Sequence, residues 1–255
     1  MGTRLQGLLV VLGSLVLWEA ISRAALVNPA YLPPPSAVLT AWQGLATSGE
    51  LGQHGATTMR VWLQGFALAV VVGTLLGLLM GLLRPIGATL STTVELLRPM
   101  PSVAIIPIAI ISFGLEDPMK RFVTMYAATW PILINTLYGV RSVDPILVDS
   151  ARTFRFSGSR RALRVILPAA SPYIATGLRL GAGIALILVV TAELVASRSG
   201  LGYFVAQSQL SYKIPEMYAG ILSIAMVGYL LNLAFEVIES RALRWHRRLT
   251  ARAEW

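Results

Sequence analysis

Long apolar stretches recur along the chain, separated by short polar segments, and each stretch predicts a helix. The first runs from Leu5 to Val27. Arg4 precedes it as in a leader peptide, but Trp18 and Glu19 interrupt it and no A-x-A site follows, so it reads as a retained first helix. The second, Val61 to Leu83, carries Gly65 and then Gly73, Gly77 and Gly81 at four-residue spacing. That stripe lets a neighbouring backbone approach one helix face, and helix packing is its plain reading. A third run, Pro99 to Phe113, contains Pro99, Pro101 and Pro107, and a fourth, Phe122 to Val140, contains Pro131. The fifth spans Tyr173 to Ala196 and the sixth Met217 to Ile238.

Composition places these runs in a bilayer. Of 255 residues, 55% are apolar and only 13% charged, against about a quarter charged in soluble domains. Mean hydropathy is +0.68. Six spans of ~20 residues leave no room for a second soluble domain. The expectation is an all-α polytopic membrane protein with six transmembrane helices, residues 1–255 forming a single transmembrane domain. There is no cysteine, which excludes disulfides, thiolate metal sites and cysteine nucleophiles.

The net charge of +9 is placed like that of a membrane protein rather than a nucleic-acid binder. Eleven of the 21 basic residues fall in two stretches beside apolar runs: Arg141, Arg152, Arg155, Arg160, Arg161 and Arg164, then Arg241, Arg244, Arg247, Arg248 and Arg252. No basic groove with interleaved aromatics lies between them, so no nucleic-acid partner is expected. With both termini, the loops 84–98 and 141–172, and the inner edge of the fifth span on one side, that side holds 15 basic residues and the other six. The basic side is cytoplasmic. Segments 28–58 and 197–216 are then external. The first opens Leu32-Pro33-Pro34-Pro35-Ser36, where Ser36 could cap a short surface helix carrying Val38, Leu39 and Trp42. Either segment could meet an outside partner or lie at the interface.

Most enzymatic chemistry is missing. The two histidines, His54 and His246, fall on opposite sides, leaving no histidine metal site and no histidine-assisted serine. Neither Lys120 nor Lys213 follows the glycine of a Walker A loop, so this chain is expected to hydrolyse no ATP, to hold no metal or cofactor and to have no catalytic residue. The acidic candidates near the membrane are Glu193, Glu236 and Glu95. Glu193 lies 14 residues, ~21 Å, beyond Arg179, in the outer part of the fifth span. An intramembrane carboxylate is either functional, here as a gate or helix register, or a packed hydrogen-bonded tie between helices. The breaks at Pro99-Met100-Pro101 and Trp130-Pro131 free backbone groups at depth, as kinks or as the lining of a cavity.

The longest inner segment is the most informative. Leu147, Val148, Ala151 and Phe154 stand at helical spacing, Ser157-Gly158-Ser159 reads as a turn, and a second short helix follows until Pro168 stops it after Leu167. This predicts a surface helix-turn-helix exposing Phe154 and Phe156. By pattern it is an interfacial element whose arginines hold anionic lipid, or a helix that enters a groove on a soluble partner.

This segment resembles the EAA loop of ABC importer permeases. Asp149-Ser150-Ala151 occupy the Glu-Ala-Ala positions, Arg155 the glycine, Val165 the isoleucine and Leu167-Pro168 the closing pair. A glycine eases the turn at that position, whereas arginine adopts positive φ at a cost, so the bend is expected to move to Gly158. Further motifs resemble the nitrate/sulfonate/taurine/bicarbonate permease subgroup: Leu32-Pro33-Pro34-Pro35, Leu97-Arg98-Pro99-Met100-Pro101, Phe113-Gly114, Ala192-Glu193-Leu194 and Gly200-Leu201-Gly202-Tyr203.

The resemblance implies a type I ABC importer permease fold in the bacterial cytoplasmic membrane. It implies two permease copies, normally a homodimer, two ATPase subunits holding ATP and Mg inside, and a solute-binding protein outside. Asp149, Ser150, Ala151, Phe154, Arg155, Gly158, Leu167 and Pro168 are the expected coupling residues. Arg98, Pro99, Met100, Pro101, Trp130 and Glu193 are expected in the pathway or its gate. The subgroup carries small anions and also thiamine-precursor-like and flavin-like heterocycles. The competing reading is a stand-alone secondary transporter, which needs ion-coupling residues at mid-depth and repeated halves.

Overall fold

The computed structural model describes residues 2–28 and 30–243. Among these there is no strand. Eleven α-helices follow one another: α1 Gly2–Arg23, α2 Pro35–Thr47, α3 Glu50–Leu82, α4 Arg84–Leu97, α5 Ile106–Phe113, α6 Asp117–Arg141, α7 Pro145–Thr153, α8 Gly158–Arg161, α9 Leu167–Ala196, α10 Leu201–Leu210 and α11 Ile214–Ala242. A short 3-10 turn, Ser102–Ile105, precedes α5, and a π turn, Ala162–Ile166, joins α8 to α9. Contacts divide the chain into two units, one of residues up to Met59 with Glu193–Met226, the other of Arg60–Ala192 with the residues from Val227 on.

In the second unit α6 is the central helix, and glycine lets its neighbours close on it. A Cβ on Gly73 would lie 2.9 Å from the Thr129 carbonyl, and one on Gly77 2.7 Å from the Leu133 carbonyl. Gly177 and Gly181 of α9 approach Asn135 and Ile132 of the same helix. The small-residue stripe is therefore a packing surface, the means by which helices associate where lipid removes the hydrophobic drive. Pro131 is accommodated inside α6, where Asn135 Nδ2 donates to the Pro131 carbonyl at 2.8 Å.

The first unit is tied through Glu19, whose place in an apolar run made it look like an interruption. Its carboxylate accepts from Arg23 and, across the α1–α2 connection, from Ser36 N–H at 3.1 Å and Ser36 Oγ at 2.8 Å. Ser36 thus does not cap α2. Pro34 holds the cap position without a side-chain bond, and Glu19 supplies the anion at that helix N-terminus. Val38 is buried, Leu39 is exposed, and Trp42 Nε1 donates to Ser223 Oγ at 3.1 Å.

By length and apolarity three stretches can cross a membrane: α3, the run Gly158–Leu210, and α11. A fourth is available if α4 with Ser102–Phe113, bent by 88°, counts as one span. Two local expectations change here. Segment 84–98, read as a loop, is the helix α4, begun by Arg84-Pro85. The third apolar run starts not with a helix at Pro99 but with a corner, the helix resuming at Ser102. Of the basic C-terminal stretch, Arg244, Arg247, Arg248 and Arg252, like His246, lie outside the described residues.

Candidate functional site

The segment 145–168 is built from local signals. Asp144 Oδ1 accepts from Ile146 N–H at 2.8 Å and Pro145 starts α7 with its φ already helical. The helix ends in a Schellman motif: Phe156 N–H donates to the Ala151 carbonyl (3.0 Å) and Arg155 N–H to the Arg152 carbonyl (2.8 Å). Arg155 is the left-handed residue of that motif, at φ 55°. The bend therefore stays at Arg155 and does not move to Gly158, which has no positive φ and opens α8 behind the cap Ser157. The two Schellman bonds satisfy orphan carbonyls and outweigh the ~1 kcal/mol strain of a β-carbon in that conformation.

The exposed face differs from the simple periodic reading. Ala151 is buried, which explains a small residue there, while Ile146, Leu147 and Phe154 are exposed, Phe154 at 77%. Phe156 is half-buried rather than exposed, with the Arg160 guanidinium 4.6 Å from its ring centre. Asp149 and Ser150 face solvent, and Asp149 pairs with Arg152 at 2.8 Å. Pro168 does not stop the second helix. Leu167 N–H reaches five residues back to the Ala162 carbonyl, and this widened turn admits a proline without an N–H and carries the chain straight into α9.

Arg98, Pro99, Met100 and Pro101 form the 88° corner between α4 and the 3-10 turn. Tyr126 joins them to Trp130: its hydroxyl donates to the Leu97 carbonyl at 2.9 Å, and its ring meets the Trp130 ring edge-on at 5.3 Å. Five of the expected pathway residues thus share one region of the second unit.

Glu193 belongs to the first unit and is 1% exposed. Its carboxylate accepts from Thr58 Oγ1 at 2.9 Å and from Gly202 N–H at 3.0 Å. Thr58 Oγ1 accepts in turn from Leu201 N–H at 2.8 Å, and His54 Nδ1 from Gly200 N–H at 3.2 Å. The group caps the start of α10, using orphan N–H donors at the positive end of a helix. Sequence reasoning singled out Glu193 and Gly200-Leu201-Gly202-Tyr203 separately and missed Thr58 and His54. Their four-residue spacing on α3 was the available signal.

At the start of α6 a charge cluster went unnoticed in the sequence. Asp117 pairs with Arg60 and with Lys120, each at 2.9 Å, and the lysine side chain is buried. Burial by itself would raise the Asp117 carboxyl, but the hydrogen bond and charge of Lys120, with Arg60 and Arg121, outweigh it and hold the group below the usual range. No group of three or more metal-ligating side chains occurs among the described residues.

Residues 69–244 match the family described as the binding-protein-dependent transport system inner membrane component. A putative ABC transporter permease of Methanocaldococcus jannaschii is 34% identical, covering 92% of this chain and 89% of its own. The taurine transport system permease TauC of Escherichia coli is 34% identical over 94% of this chain and 88% of its own. The putative aliphatic sulfonates permease SsuC of the same organism is 33% identical over 92% and 89%. An inward-facing structure of the MetNI methionine ABC transporter superposes with TM-score 0.65 at 19% identity, over 73% of this chain and 93% of that one, and shares the fold. The chain therefore belongs to the inner membrane permease components of binding-protein-dependent ABC transporters.

Proposed function

We propose that this permease forms the translocation pathway of an ATP-driven importer for a small anionic solute. Two copies of six membrane helices each, both termini cytoplasmic, stand on two ATPase subunits, and a solute-binding protein delivers cargo outside. α7 is the coupling helix, with Asp149, Ser150, Phe154 and Arg155 toward the ATPase and Gly158, Leu167 and Pro168 linking it to α9. ATP and Mg stay on the partner subunits. Closing of the ATPase pair draws the two α7 helices together and shifts the pathway from inward-facing to outward-facing, since ATP binding can bias one of two helix arrangements.

The observation that carries this reading is the exposed apolar group Ile146, Leu147 and Phe154 on a nine-residue helix firmly capped at both ends. A helix too short to span, rigid and apolar outward, suits a groove on a soluble partner. Relatives named for taurine and sulfonate transport support an anionic cargo.

Gentle affinity purification from native membranes with native mass spectrometry tests it. Two copies with two ATP-binding subunits are expected. A chain that purifies alone, yet carries out ion-dependent uptake in vesicles, supports a secondary transporter instead.

A further inference from the structure

Two arginines share one cleft in the second unit, and neither guanidinium has a hydrogen-bond or ion-pair partner among the described residues. The cleft, about 460 Å³, lies between α4 and the end of α6 and is lined by Ser91, Glu95, Arg98, Tyr138 and Arg141 among others. Arg98 follows the last turn of α4 and Arg141 closes α6. Both positions place a cation at the negative end of a helix, which accounts for the charge but uses none of the ten guanidinium N–H donors. The surroundings are held: Tyr126 O–H bonds the Leu97 carbonyl beside Arg98. Gly87 leaves room for Arg141, whose Nη2 would lie 3.0 Å from a Cβ at that position. Glu95 lines the same cleft and forms no ion pair with either arginine.

We propose that this cleft binds a singly charged oxyanion, a sulfonate or carboxylate head group, gripped by Arg98 and Arg141 with the Tyr138 hydroxyl as a further donor. Guanidinium forks match the paired oxygens of such groups. Two arginines against one glutamate leave one positive charge, so a dianion is disfavoured by Glu95. As a station for cargo the site rests on the importer reading above. An anionic lipid head group carries the same chemistry, and the test separates the two.

The protein, purified from native membranes with whatever subunits it retains and placed in phosphatidylcholine nanodiscs, is titrated with methanesulfonate, observed by saturation-transfer NMR, and then with inorganic sulfate. Saturable methanesulfonate binding is expected, at least tenfold weaker in Arg98→Gln and in Arg141→Gln, with sulfate weaker than methanesulfonate in the wild type and strengthened by Glu95→Gln. Arg98 is exposed and its guanidinium bonds no described residue, so its variant stays informative even if Arg141→Gln misfolds. Absence of saturable binding, or equal binding in the Arg98 variant, overturns the site. Loss of methanesulfonate binding when phosphatidylglycerol replaces phosphatidylcholine assigns the cleft to lipid and overturns its role as a cargo site. Association with the ATPase subunits is read on the same sample: its absence counts against the importer reading, while methanesulfonate binding still reports on the cleft.

Discussion

The Glu193 carboxyl group occupies the space that a side chain on Gly200 would need: a Cβ there would collide with Oε1. Gly200 also has φ 106°, a conformation other residues avoid. The glycine and the glutamate are thus one device, a buried carboxyl group pressed onto the start of α10.

Gly200→Ala is expected to destabilise the protein by roughly 2–4 kcal/mol through clash and backbone strain together. Glu193→Ala should cost about 2–3 kcal/mol, since it strips partners from Thr58 and Gly202 N–H, whereas Glu193→Gln keeps an acceptor and should cost about 1 kcal/mol. Thermal melts in detergent rank the three. A Glu193→Ala protein as stable as wild type would show that the cap contributes nothing.

Arg155→Gly should stabilise the chain by about 1 kcal/mol, because glycine takes the left-handed position of the Schellman motif without strain. Arg155→Val should do the reverse. Unchanged melting in both would mean that α7 does not end at Arg155 in solution.

Phe154→Asp is expected to leave melting within about 0.5 kcal/mol of wild type, as the side chain is 77% exposed and touches no core. Uptake should fall at least tenfold, with reduced recovery of the ATPase subunits. Normal uptake by a well-folded variant would count against α7 as the coupling helix.

Asp117 gives a pH signature. Its folded carboxyl lies below the unfolded value near 3.9, so its contribution is present above that value and is lost as pH falls through the lower folded one. Melting temperature should therefore drop on acidification below about pH 4. Asp117→Asn should remove that part of the dependence and cost about 1–3 kcal/mol at neutral pH, by weakening the pairing of buried Lys120 and of Arg60. Parallel acid limbs in variant and wild type would show that Asp117 is not the group responsible.

How much of this was legible in the sequence follows from the range of each interaction. Apolar runs, the glycine stripe and the proline breaks are local, and they marked the long apolar helices α3, α6, α9 and α11, the α3 face that packs on α6, and the break at Pro99-Met100-Pro101, but not the helix α4. The α7 start was equally legible, since Asp144 and Pro145 act within one turn. The α7 end was misjudged because a residue preference was weighed without the two backbone bonds that override it. Pro168 was misjudged for a like reason: a π turn supplies the slack that an α-helix lacks.

What tertiary structure alone decided are the pairings between distant residues. Thr58 and Glu193 are 135 positions apart, Trp42 and Ser223 181, and nothing in either neighbourhood encodes the partner. Periodicity says which face of a helix is apolar, but not which buried carboxylate will find a free helix end. Sequence thus determined the helical membrane permease and the short exposed helix α7. Only folding made Glu193 the cap of α10, Glu19 the partner of Ser36, and Arg98 and Arg141 the two sides of one cleft, because a polar side chain's partners are whichever groups packing brings within reach.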